Sequence, residues 1–279
     1  MAMEEQTAGS CEQKIDAIRR AISSKGSLVV GLSSGVDSAL LAYLASSALG
    51  ANAIAVTAVS PAVAQEDIAE ARKNALEIGI RHVIVETHEL EDEKYLKNDG
   101  KRCFYCRHEL SEQLLEIAKR EGMAAAAIGI NADDLSDYRP GIAAARELGI
   151  WMPLMEFGLT KAEIRQEAAR VGLKASSRPS NACLSSRIQY GQHIDTELLK
   201  RVEKAEDGLH ALGFTQCRVR VHGAVARIEI PVAEIPLLID EEMRKRVVEV
   251  VSSSGFLFVT LDLAGFRSGS MNALLRNTP

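Results

Sequence analysis

From Leu28 to Met155, short runs of apolar and β-branched residues alternate with longer stretches whose apolar positions recur every three to four residues. The short runs predict strands at Leu28–Gly31, Ala53–Val59, His82–Glu86, Ala125–Ile130 and Trp151–Met155. Helical spacing fills Glu12–Ser23, Ser38–Leu49, Glu66–Ile78, Phe104–Glu121, Ile142–Leu148 and Lys161–Val171. Strands this apolar are buried on both faces, so the pattern predicts an α/β fold, a doubly wound parallel sheet with helices on either side. The rhythm stops in the polar, serine-rich stretch Lys174–Gly191, which reads as a linker or an active-site loop. Beyond it come a helix pattern (Thr196–Leu212), two alternating runs around His222-Gly223 (Gln216–Val221 and Val225–Ile230), a second helix pattern (Ala233–Ser252) and a last strand (Phe256–Leu261). That order, αββαβ, predicts a smaller C-terminal α+β domain, and the expected division is 1–190 and 191–279. There is no internal repeat.

Length and composition narrow the class. The chain has 279 residues, 47% hydrophobic and 25% charged, which excludes disorder, collagen and coiled coil. A chain of this size buries roughly 75% of its unfolded surface without disulfides or a structural metal, so clustered cysteines call for a chemical reason. The longest apolar runs, such as Ala124–Ile130, fall well short of the roughly 20 residues of a membrane span. The acidic start Met1–Glu5 is no signal peptide, and the expected location is cytoplasmic. A net charge of -5 argues against a surface built to hold nucleic acid. Five cysteines, an odd number in a reducing compartment, favour thiol, cluster or metal chemistry over a disulfide framework. The six histidines show no metal-ligand spacing, and the lone Trp151 reads as strand packing.

Directly after the first strand comes Leu32-Ser33-Ser34-Gly35-Val36-Asp37-Ser38, followed by an apolar helix pattern. A turn of small residues between a buried strand and a helix N-terminus points N–H groups and hydroxyls at one place, where the helix dipole favours an anion. Neither the Walker A spacing nor the dinucleotide Gly-x-Gly-x-x-Gly is present. Ser33, Ser34, Gly35, Val36, Asp37 and Ser38 resemble the PP-loop, Ser-Gly-Gly-x-Asp-Ser, of the ATP pyrophosphatases, which split ATP between its α- and β-phosphates. Ser34 departs from that motif, where glycine is usual; the bland reading is a serine-capped helix. Ser33, Ser34, Gly35, Val36 and Ser38 are the expected pyrophosphate donors. Asp37 is expected to position Mg²⁺ or the phosphates, or else to serve as a helix-start carboxylate.

Cys103 and Cys106 form a Cys-x-x-Cys flanked by Lys101, Arg102 and Arg107, and Cys183 lies between Arg178 and Arg187; nearby cations favour thiolates. Structural zinc wants four ligands, whereas three cysteines suit an iron-sulfur cluster with one iron left open. A redox pair with an unrelated Cys183, or zinc completed by another side chain, are the alternatives.

Together the PP-loop, Asn181–Arg187 (Asn-Ala-Cys-Leu-Ser-Ser-Arg) and Gly265–Asn272 (Gly-Phe-Arg-Ser-Gly-Ser-Met-Asn) resemble the LarE family of ATP-dependent sulfur transferases over nearly the whole chain. The resemblance implies a step of nickel-pincer nucleotide synthesis. ATP adenylates a carboxylate of a pyridinium biscarboxylate mononucleotide, AMP leaves, and sulfur replaces oxygen. It implies Cys183 as the sulfur-giving position, either sacrificing its own sulfur or, as in members with an added Cys-x-x-Cys, holding a [4Fe-4S] cluster with Cys103 and Cys106. The cluster route is favoured here, with ATP and Mg²⁺ as further cofactors, an external sulfur donor, and a homo-oligomer as the family tendency.

An anionic nucleotide substrate calls for cations. Arg218 and Arg220 alternate on one strand face and Arg267 sits in a glycine-flanked turn, so these three are the substrate and phosphate candidates; a solvated sheet face is the bland reading of the pair. Asp262 and Glu229 are weaker candidates for a divalent ion, and Asp133 or Asp134, after the fourth strand, for a place near the nucleotide. Rival readings are a PP-loop tRNA thiolase, an ammonia-fed ligase that leaves the cysteines unexplained, and a nucleotide-binding cluster sensor without catalysis.

Overall fold

The computed structural model describes residues 9–136, 140–179, 181–267 and 269–272; the start Met1–Glu5 and the motif residues Ser180 and Ser268 lie outside these. In chain order the regular elements are α1 (Cys11–Lys25), β1 (Leu28–Gly31), α2 (Val36–Leu49), β2 (Ala53–Val59), α3 (Gln65–Ile78), β3 (Arg81–Glu86), α4 (Glu93–Leu96), α5 (Arg102–Arg120), β4 (Ala126–Ile128), α6 (Pro140–Glu147), α7 (Pro153–Glu156), α8 (Lys161–Arg170), α9 (Thr196–Ala211), β5 (Arg218–His222), β6 (Val225–Glu229), α10 (Glu241–Ser253) and β7 (Phe258–Leu261). Two compact units result: Met1–Glu89 with Cys103–Asn181, and Leu90–Arg102 with Ala182–Pro279. The chain changes unit after Asn181, not after residue 190, and 90–102 joins the second unit.

Unit 1 carries a parallel sheet in the order β3-β2-β1-β4. Alternation along β1 explains why it is covered twice. Leu28 and Val30 pack with Ile15, Ile18 and Ile22 of α1, with Leu40, Leu41 and Leu44 of α2, and with Ile164 of α8. Val29 faces the other way, with Leu114 and Ile117 of α5 and Ile142 of α6. The doubly wound α/β fold is therefore present. α2 is buried along most of its length, which is why its sequence shows no polar stripe. The expected fifth strand, Trp151–Met155, is reduced to one parallel bridge from Trp151 to Ala127. Pro153 has no N–H to donate to a ladder and its fixed φ suits a first helical position, so the chain turns into α7 there.

Unit 2 has a three-stranded sheet, β5-β6-β7, with β5 antiparallel and β7 parallel to β6. The expected helix Ala233–Ser252 is two pieces. Pro236 lies in a 3₁₀ stretch (Val232–Ile239), and Asp240 then caps α10 by accepting the Met243 N–H at 2.8 Å. Segment 90–102 belongs here because Asn98 donates to the carbonyls of Gln189 (2.9 Å) and Gln192 (3.1 Å), and Ile194 N–H reaches Leu96 O at 3.0 Å. Lys174–Gly191 contains 3₁₀ turns at Lys174–Ser177 and Leu184–Arg187.

Candidate active site

The sheet of unit 1 reverses its winding between β1 and β4, and an open α/β sheet binds ligands beyond the carboxyl ends of its strands at such a point. The loop after β1 occupies that place. Ser38 Oγ accepts the Ser33 N–H at 3.0 Å and donates to Gly35 O at 3.0 Å, and Ser33 Oγ accepts the Gly35 N–H at 3.2 Å. These bonds curl residues 33–38 into a tight cup. Gly35, the N-cap of α2, has no side chain to cap the first turn, whose N–H groups and positive dipole end suit an anion. Asn74 of α3 braces the cup by donating to Ser33 O at 3.4 Å.

From the β4 side, Asn131 Nδ2 donates to Asp37 Oδ1 at 3.4 Å, and Asn131 Oδ1 accepts the Asp133 N–H at 2.9 Å. Lys161 forms an ion pair with Asp37 Oδ2, and its backbone N–H donates to Asp133 Oδ2 at 2.8 Å. A capping box between Thr160 and Glu163 starts α8 directly before Lys161 and so fixes its position. Asp37 is thus held between an amide and an ammonium, and Asp133 and Asp134 act from the loop after β4, Asp134 by accepting the Asn131 N–H at 3.1 Å. Lys161 and Asn131 were not legible as site residues: they lie 124 and 94 residues from Asp37.

Cys103 and Cys106 lie in the first turn of α5, three residues apart on one side of the helix; Cys103 is exposed and Cys106 half-buried. α6 approaches this turn closely, since a Cβ on Gly141 would meet Cys103 O at 3.2 Å. Cys183, half-buried, opens the 3₁₀ turn of unit 2. That turn is anchored at Ser185, whose Oγ lies 2.6 Å from Tyr95 Oη and whose carbonyl accepts from Arg102 at 2.9 Å. Arg102 is the residue before Cys103 and Ser185 stands two after Cys183. Cys11 and Cys217 are different in kind. Burial, with Glu163 and Glu167 nearby, pushes the Cys11 thiol up, and burial beside Glu206 pushes that of Cys217 much further, the opposite of what favours a thiolate.

The arginines of β5 do not form a solvated face. Arg218 and Arg220 are buried, as are Arg187 and the carboxylates of Glu206 and Glu229. Arg220 pairs with Glu229 (2.9 Å) and donates to Ser186 O (3.0 Å). Arg187 grips both oxygens of Glu206 at 3.0 and 2.8 Å and donates to Cys183 O at 2.9 Å. Burial, with Arg187 close by, lowers the Arg218 guanidinium to about 10, still cationic at neutral pH; it stacks 5.1 Å from the Phe266 ring. Glu229 also receives Arg227 (3.2 Å) and Ser270 (2.7 Å), and Asp262 lies 3.7 Å from Arg227 and 3.4 Å from the more exposed Arg267. Glu229 and Asp262, the candidate divalent-ion ligands, are therefore both paired with arginines.

Residues 10–99, which contain the cup after β1, match the NAD synthase family model, of the PP-loop class. The chain is an enzyme of the PP-loop ATP pyrophosphatase class. It is 40% identical over 264 residues, 95% of its length and 98% of the relative's, to an uncharacterised protein of Synechocystis sp.. It is 35% identical over 249 residues, 89% of its length and 90% of the relative's, to the pyridinium-3,5-bisthiocarboxylic acid mononucleotide synthase of Lactiplantibacillus plantarum. An uncharacterised Methanocaldococcus jannaschii protein is 26% identical over 241 residues, 86% of this chain and 91% of the relative. The chain belongs to the LarE family. Among the described residues, no helix is long and apolar enough to cross a membrane.

Proposed function

We propose that the protein is an ATP-dependent sulfur transferase that converts a carboxylate of a pyridinium biscarboxylate mononucleotide to a thiocarboxylate, in the cytoplasm and within nickel-pincer nucleotide synthesis. The observation that carries the reading beyond the family is charge. Among the described residues of unit 2, Arg102, Arg187, Arg218 and Arg220 are all buried, a gathering of guanidinium groups suited in kind to a substrate bearing carboxylates and a phosphate. Arg218, Arg220 and Arg267 are its proposed holders.

A carboxylate exchanges oxygen for sulfur poorly because oxide would have to leave. A substrate carboxylate oxygen attacks the α-phosphorus of ATP, and the bond to the β-phosphate bridging oxygen breaks, releasing pyrophosphate. Ser33, Ser34, Gly35, Val36 and Ser38 hold that pyrophosphate through N–H and O–H donors, Lys161 adds positive charge, and Asp37 positions Mg²⁺. A sulfur nucleophile then attacks the acyl carbon, and AMP leaves with one carboxyl oxygen.

Cys103, Cys106 and Cys183 are the proposed sulfur-handling residues and the protein ligands of a [4Fe-4S] cluster, which when bound supplies a labile sulfide that is renewed by an external donor. The donor set fits that group in kind: Cys103 is exposed and Cys106 and Cys183 are half-buried, three thiols of the type that ligates iron. Among the described residues no three His, Cys, Asp or Glu side chains are gathered as a metal site, so the proposal rests on donor chemistry and chain position. Unit 2 is also the proposed surface of a homo-oligomer, supported by the exposed Ile239, Leu257, Phe258 and Leu263.

The test is an anaerobic assay with MgATP and the pyridinium acid. AMP and pyrophosphate should form only with the acid present, and the acid should gain sulfur. Cys183→Ala is expected to keep pyrophosphate release and lose thiocarboxylate. Dependence on tRNA instead of the acid, or a stoichiometric zinc with no iron, would overturn the corresponding part.

A further inference from the structure

We propose that Asp67 is a positioning residue that competes with bound nucleotide for the Ser34 hydroxyl and thereby sets the stretch of chain leading to Cys183; this rests on the ATP reading above. Asp67 lies in the first turn of α3, outside the loop motif, and one carboxylate there gathers three donors. Ser34 Oγ donates to Oδ1 at 2.7 Å, Arg178 Nη2 to Oδ1 at 3.1 Å, and Asn181 Nδ2 to Oδ2 at 2.7 Å. All four residues belong to unit 1, and Asn181 is its last residue, two before Cys183.

A serine hydroxyl has one proton to give. Phosphate in the cup and Asp67 outside it are rival acceptors for the same O–H, and both are anions. Nucleotide that takes the Ser34 proton removes one bond from Asp67 and brings negative charge towards it. Arg178 is held independently, since its carbonyl accepts from Arg165 at 2.9 Å and its guanidinium lies 3.4 Å from Glu70. Asn181, two residues before Cys183, is the partner through which a change at Asp67 reaches the chain leading to that cysteine. The device exists only because residue 34 is Ser: glycine, usual in the PP-loop, has no hydroxyl to exchange. The departure from the motif thus acquires a role in signalling that ATP has arrived.

Hydrogen exchange of the peptide covering 178–187 tests this in the full chain, with and without magnesium and α,β-methylene-ATP, which binds but cannot be cleaved. Exchange in that peptide is expected to change on nucleotide binding in the wild type, and the change is expected to be lost in Asp67→Asn and Ser34→Gly and retained in Asp67→Glu. Asn181→Ala, which removes a donor to Asp67 and keeps the carboxylate, should also lose it and serves if Asp67→Asn fails to fold. In turnover, Asp67→Asn should lower thiocarboxylate formation about tenfold relative to pyrophosphate release, a loss of alignment and not of binding. An unchanged nucleotide response in Asp67→Asn, or a silent 178–187 peptide in wild type while 33–38 becomes protected, overturns the proposal and leaves the ATP reading intact. Absence of protection at 33–38 overturns both.

Discussion

Gly129→Ala is expected to cut pyrophosphate release from ATP about a hundredfold, although residue 129 lies outside the loop motif. Its Cβ would lie 2.7 Å from Ser38 N, 2.8 Å from Asp37 C and 2.9 Å from Asp37 O. Real Cβ atoms do not approach backbone this closely, and none of these atoms is the tip of a flexible side chain. Either β4 or the start of α2 must move, and α2 is packed against β1 along its buried length. A shift of this kind carries Asp37 and Ser38 out of the cup and away from Asn131 and Lys161. Gly35→Ala makes the contrast, because its φ of -82° suits any residue and its Cβ would meet only Ser33 Oγ at 3.4 Å. Pyrophosphate release with substrate, and melting temperature, measured on both variants check this: Gly129→Ala should also lose about 1–3 kcal/mol, as overpacking does, while Gly35→Ala should keep its fold. Wild-type turnover in Gly129→Ala would show that the loop tolerates displacement.

That contrast also shows what the sequence made legible. The cup from Ser33 to Ser38 is local, a strand, a turn and a helix start, and its residue types announce it. Gly129, Asn131 and Lys161 complete it from β4 and α8, and only parallel pairing of β1 with β4 brings them there. Period-two spacing placed Arg218 and Arg220 on one face. It could not show that the face is buried, because Glu229 comes from the antiparallel partner strand and Glu206 from α9. Residues 90–102 fall between the predicted strand His82–Glu86 and the predicted helix Phe104–Glu121 and carry no predicted element. Their role depends on Asn98, at φ 52°, and Arg102 reaching residues about 90 positions onward, a pairing without local signature. Pro153 lies inside the apolar run Trp151–Met155, and its missing N–H and fixed φ outweigh the strand pattern of that run.

Arg187→Ala is expected to destabilise unit 2 by about 3–5 kcal/mol, because it strands the Glu206 carboxylate in the interior. Arg187 is 1% exposed, grips both Glu206 oxygens and also holds the carbonyls of Ala182 and Cys183. Two consequences separate in the double variant Arg187→Met, Glu206→Leu: replacing both charges with apolar groups should recover much of the stability, while the loop carrying Cys183 stays loose and sulfur transfer stays low. Hydrogen exchange of α9 and β5 reads the first, since the lone Trp151 reports on unit 1 only. Burial pushes the Glu206 carboxyl up, but Arg187, Arg218 and the Val219 N–H outweigh it and hold it below its ordinary 4.5. Its folded pKa is thus depressed, so its contribution is present in full above 4.5 and is lost as pH falls from there through the folded value. In Arg187→Ala the balance tips towards burial and the carboxyl takes up its proton at higher pH. The gap in stability between wild type and variant should therefore narrow on acidification; a gap independent of pH would mean that Arg187 acts through packing alone and that Glu206 keeps its charge without it.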